Sequence, residues 1–156
     1  MAEWIPIKVP YIAERFIGFS IPDHRHFFLI SYEGVHKVIL DRDLVVRSDD
    51  SLPEGRSVFN GRTITYQGET IPTLGLHGGA AIITDDSGHV LDLQPPYPSG
   101  SSHDGVVNVL KLDGELVQSL PFEDYSGDWQ QATFSTDYRH IVIGTPYEIT
   151  IYRKNK

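Results

Sequence analysis

Seven histidines in a chain of 156 residues put a metal site first among the chemistries to weigh. Asp23, His24 and His26 fall in one short segment, Asp23-His24-Arg25-His26. Side chains repeat every two residues along a strand, so the two imidazoles would share a face if the strand already begins there. Such a donor set suits zinc or another first-row ion, and His36 on a neighbouring strand would supply a further ligand. The same residues also read as a turn device, with Asp23 accepting hydrogen bonds from backbone amides and Arg25 pairing with it. The Arg-His pair recurs at Arg139-His140, and recurrence is better explained by folding than by ligation. A metal at Asp23, His24 and His26 is therefore the alternative reading, and no metal and no cofactor are expected.

Other polar clusters lack what their chemistry requires. Ser101, Ser102, His103 and Asp104 have the residue types of a nucleophilic triad. A triad needs a serine on a strained turn, an aimed base and an oxyanion hole, and no Gly-x-Ser-x-Gly elbow occurs. Asp85-Asp86-Ser87-Gly88 opens like a calcium loop, but Tyr97 stands where the distal acidic ligand belongs, so a hairpin turn is expected. His77-Gly78-Gly79 has no helix after it to lend a dipole to an anion, and reads as a close backbone approach or bulge. Aromatics carry more promise. Tyr97, Tyr125 and Trp129 adjoin turn-forming stretches and, with His103, make the partner-binding surface expected here. The competing reading has Trp129 start a strand and plug the core.

Positioning these groups falls to short strands. Runs of β-branched and aromatic residues, punctuated by turn residues, predict strands over 16–19, 26–31, 35–40, 44–47, 57–59, 62–66, 80–84, 89–93, 106–112, 115–120, 130–134, 139–143 and 147–153. Asn60-Gly61 and Asp113-Gly114 are the clearest hairpin signals, with Tyr32-Glu33-Gly34, Gln67-Gly68 and Asp85 to Gly88 weaker ones. Sequential hairpins make an antiparallel meander. A stretch of Pro, Gly and Ser at about 94–105 reads as a long exposed loop within a single β domain spanning 1–156.

An internal repeat runs through the chain. Phe19-Ser20-Ile21-Pro22-Asp23-His24-Arg25-His26 recurs in shortened form as Phe134-Ser135-Thr136-Asp137-Tyr138-Arg139-His140, and each copy leads into an apolar run. Val35 to Val45 parallels Val107 to Val117, and Gly78 to Leu93 reads as a degenerate third hairpin. With Ile141 to Gly144 and Tyr147 to Tyr152 following, the last copy resembles a β-propeller blade of the WD-repeat kind. The resemblance implies an all-β fold of blade-like meanders that offers surfaces to partners. A closed ring usually takes about four to eight blades, more than this length supplies. The resemblance therefore also implies open strand edges and a homo-oligomer that covers them. A β-trefoil and a β-sandwich or barrel are the alternative architectures.

Composition bounds the partners. Thirteen Lys and Arg against twenty-one Asp and Glu give a net charge of −8, which repels nucleic acid in the absence of a segregated basic face. With no cysteine, disulfides, thiolate metal sites and cysteine nucleophiles are excluded. No run approaches the roughly 18 apolar residues of a membrane span, and the N-terminus lacks a signal-like pattern. A soluble, cytoplasmic protein is expected. The function expected is a non-enzymatic binding or protein-interaction module using loops of a β scaffold. The alternatives are a small metal-dependent hydrolase built on the His-rich strand, and a neutralising partner of another protein.

Overall fold

The computed structural model describes residues 3–40, 44–48, 58–94, 104–124 and 128–155. Among them every regular element is a strand: β1 (Trp4–Ile7), β2 (Phe16–Ser20), β3 (His26–Ser31), β4 (Gly34–Ile39), β5 (Val45–Ser48), β6 (Val58–Phe59), β7 (Thr63–Tyr66), β8 (Glu69–Gly75), β9 (His89–Gln94), β10 (Asp104–Lys111), β11 (Leu116–Glu123), β12 (Gln131–Phe134), β13 (His140–Gly144) and β14 (Ile149–Lys154). All pairings between strands are antiparallel. The all-β meander expected from the sequence is the fold. Among the described residues no helix is long and apolar enough to cross a membrane.

Among the described residues three sheets form, with strand orders β5-β4-β3-β2-β8-β7-β6, β11-β10-β9 and β1-β14-β13-β12. In the last, β1 pairs with β14 and completes a four-stranded antiparallel sheet with the C-terminal strands. This sheet is buried on both faces, and period-two alternation divides its side chains. Val142 and Ile151 join Phe19, Phe27, Leu29 and Val38 in one core. Ile141, Ile143 and Tyr152 join Trp4, Val107, Leu120 and Phe122 in another. β3 alternates in the same way, sending Phe27 and Leu29 to the first core and Phe28 and Ile30 to a third with Ile64 and Tyr66.

Two strands escape the sequence reading, and each carries a proline. In β1, Pro6 lies opposite Tyr152 on the outer strand of its sheet, where one side of the backbone needs no donor. In β8, Pro72 lies just past the last paired rung with β2 and accepts the Ile21 N–H, so its missing donor falls where β2 has ended. The expected strand at 80–84 instead touches two sheets through isolated bonds, with one bridge between Thr84 and Val90. Ile83 O accepts from Leu91 N–H, and Ile82 O accepts from Phe134 N–H.

Turn chemistry also departs from expectation. Both central residues of the Gln67-Gly68 turn have positive φ, +52° and +79°, as a type I′ hairpin requires. Asn60 and Asp113 instead use their side chains: Asn60 Oδ1 accepts from the amides of Arg62 and Thr63, and Asp113 Oδ1 from that of Glu115.

Candidate functional site

The repeated turn supplies the first half of the site. Asp23 Oδ1 accepts from the Arg25 and His26 amides at 2.7 and 2.8 Å. Asp85 Oδ1 accepts from the Ser87 and His89 amides at 2.9 and 2.8 Å. Asp137 Oδ1 accepts from the Arg139 amide at 3.2 Å and from Ser135 Oγ at 2.6 Å. Three times, then, an aspartate ties a turn and a histidine begins the next strand. Burial works against the charge on Asp85, but bonds from His89 and Ser87 outweigh it and hold that carboxyl below its usual range. His140 is almost fully buried, whereas the His26 ring lines a cavity.

The second half comes from cross-strand register. Phe28 stands opposite Lys37 in the β3–β4 ladder, and Lys37 opposite Arg47 in the β4–β5 ladder, so all three share one face of the sheet. His26 and Ile39 form the next same-face pair. The tight turn at Gln67-Gly68 places Tyr66 opposite Glu69. In a flat sheet β3 and β7, three strands apart, would be roughly 14 Å from each other. The Phe28 and Tyr66 ring centroids are 5.0 Å apart, so the seven-stranded sheet curls around them. Lys37 Nζ lies 5.0 Å from the Tyr66 centroid, and His26 meets Phe28 edge-on at 5.4 Å.

The curl encloses a cleft of about 540 Å³ lined by Arg25, His26, Lys37, Arg47, Tyr66 and Glu69 among others. Among the described lining residues three permanent cations face one carboxylate, in a chain of net charge −8. Burial pushes the His26 pKa below its usual value, with Asp23 opposing and Lys37 reinforcing the shift. A second cavity of about 520 Å³ adjoins the first and shares His26 and Glu69 with it. Its lining is largely apolar: Ile21, Ile71, Pro72, Ala80 and Ile82.

The residues singled out from sequence divide clearly. Asp23 and His26 come to the cavities. His24 is exposed on the turn. His36 lies on the opposite face of β4 from Lys37, with Nε2 2.9 Å from Ser31 Oγ, so it cannot join His26 as the further ligand expected. Among the described residues no group of three or more His, Asp or Glu stands ready to hold a metal. Arg25 turns to the cleft instead of pairing with Asp23. Trp129 packs in the core with Phe19 and Val142, which is the core-plugging arrangement. Tyr97, His103 and Tyr125, the rest of the expected partner surface, lie outside the described residues, as does most of the stretch at 94–105.

Lys37, Arg47, Tyr66 and Glu69 went unnoticed in the sequence. A signal for Lys37 was present, since it interrupts the apolar positions of Val35-His36-Lys37-Val38-Ile39 on the face it shares with Val35 and Ile39. Only the strand register, however, brings it beside Arg47. Ser31 and His36 have a nucleophile-to-base distance, but Ser31 Oγ also accepts from the Glu33 amide and lies 3.2 Å from Gly34 O, as in a hydroxyl-capped turn. Comparison with known protein families, curated proteins and solved structures gave no match, so the functional reading rests on the geometry alone.

Proposed function

We propose that this chain is a binding module whose curled β scaffold captures a small organic anion in the cleft between Arg25, Lys37 and Arg47. One observation carries the reading: Arg25 and Arg47 line a concave site while making no ion pair with any described residue. Two guanidinium forks on one cavity match the paired oxygens of a carboxylate or phosphate. Tyr66, backed by the buried Phe28 ring, gives the cleft a wall of low polarity, which strengthens charge-assisted hydrogen bonds beside it.

Titration of the protein with inorganic phosphate, followed by amide chemical shifts, tests the proposal. Shifts centred on β3, β4 and the β7–β8 turn that vanish in the double variant R25Q/R47Q support it. Undisturbed amides at millimolar phosphate, or shifts centred elsewhere, overturn it.

A second part of the proposal concerns association of copies. β5 is an end strand of the seven-stranded sheet among the described residues, and end strands are where another chain can add. Native mass spectrometry decides this part: a dimer or trimer supports edge pairing, and a monomer at micromolar concentration removes it.

A further inference from the structure

The two cavities that meet at His26 and Glu69 differ in character, and the difference specifies a ligand. All three permanent cations, Arg25, Lys37 and Arg47, line the first lobe. Among the described residues the second lobe has no Lys or Arg in its lining, and its ionisable residues are Asp23, His26 and Glu69. His26 and Glu69 sit at the junction. Asp23 is held beside His26, its Oδ1 3.5 Å from Nδ1. Beyond them the wall combines the apolar Ile21, Ile71, Pro72, Ala80 and Ile82 with the uncharged Ser20, Thr70 and Thr136.

Building on the anion reading above, we infer that the ligand is a soluble amphipathic anion, a carboxylate or phosphate joined to an apolar body of about eight carbons. Its head lies between Arg25 and Arg47, and its body lies along Ile21, Ile71 and Ile82. Charge fixes the orientation. Asp23, which lines the apolar lobe but not the first, repels an anionic head from it, and the cations draw the head into the first. The apolar lobe, at about 520 Å³, then removes the ligand body from water. A bare inorganic anion would leave that lobe unused, and a neutral apolar molecule would leave two arginines unmatched.

Calorimetric titration with four probes, acetate, inorganic phosphate, octanoate and octanol, tests the inference. Octanoate is expected to bind about tenfold or more tightly than acetate, because its added methylenes leave water. Octanol is expected to bind more weakly than octanoate. Ala80→Phe, which fills the apolar lobe from an exposed position, should abolish the advantage of octanoate over acetate and leave phosphate binding intact. Thr70→Phe, from the same lobe, replaces it if A80F does not fold by circular dichroism. Equal affinity for acetate and octanoate overturns the amphipathic ligand while the anion reading stands. No binding of phosphate, acetate or octanoate overturns both. Sedimentation with anionic phosphatidylglycerol vesicles in the absence of octanoate binding shows a membrane surface as the source of the anion, and overturns the soluble ligand.

Discussion

Lys37 and Arg47 occupy directly opposing positions in the β4–β5 ladder. Like charges placed opposite each other destabilise an antiparallel pair by roughly 0.2–1 kcal/mol. Both side chains line the cleft, which fits a pair kept for binding more than for stability. Arg47→Thr should raise the free energy of unfolding by about 0.5 kcal/mol in urea and weaken anion binding. A loss of stability with unchanged binding contradicts this account of Arg47.

Acid should destabilise the fold before carboxylates protonate. Burial pushes the pKa of His140 below its usual 6.5; Asp137 opposes the shift, and Arg153 and Arg139 reinforce it. The His140 Nδ1 is buried without a hydrogen-bond partner among the described residues. The unfolded chain therefore takes up the proton first, and stability, whole above pH 6.5, declines as pH falls below that value towards the folded pKa. His26 acts with the same sign. Thermal midpoints measured between pH 7.5 and 5 should fall, and His140→Leu should flatten the decline. A midpoint that rises on acidification would oppose this.

Ligand binding should run the other way. A proton on His26 adds a positive charge to the cleft, and its low pKa places that gain below pH 6.5. The affinity for ionised octanoate, corrected for the fraction protonated, is expected to increase as pH is lowered below 6.5. His26→Asn should remove the increase. Asp23, Glu69, Lys37 and Arg25 all act on this imidazole, so the pH at which affinity changes will move in Glu69→Gln, to lower values.

The join between β2 and β8 decides whether the cleft exists at all. A Cβ on Gly75 would lie 2.4 Å from Ile17 O and 2.5 Å from Gly18 Cα, and its φ of +147° is one that side chains rarely tolerate. Gly75→Ala should cost about 2 kcal/mol or more and loosen the β7–β8 hairpin, taking Tyr66 and Glu69 away from His26. Amide exchange at β7 and β8 checks this, with faster exchange expected there than in β13.

Much of the fold was legible in the sequence because its strands obey local rules. His26–Ser31 reads as a strand from its aromatic and β-branched content, and that is β3. The repeated Asp-turn-His segment reads as a structural device, and its amide bonds are those of a turn. What stayed hidden depends on partners distant in the chain. β8 carries a proline that a sequence rule counts against strand, and only the end of β2 at Ser20 makes it harmless. The cleft joins residues from 25 to 69 through register and sheet curvature, neither of which leaves a local mark. The aromatic surface expected around Trp129 was inferred from neighbouring turns, but its indole turns inward, because inward aromatics next to turns look the same in sequence as outward ones.

The most direct test of the central claim is the affinity of the intact chain for phosphate, compared with that of R25Q/R47Q at low salt. The account predicts measurable binding that falls about tenfold or more in the double variant, since each charge-assisted bond lost contributes about 1.5–3 kcal/mol. Equal affinity in the two proteins would contradict it and remove the cleft as the functional site.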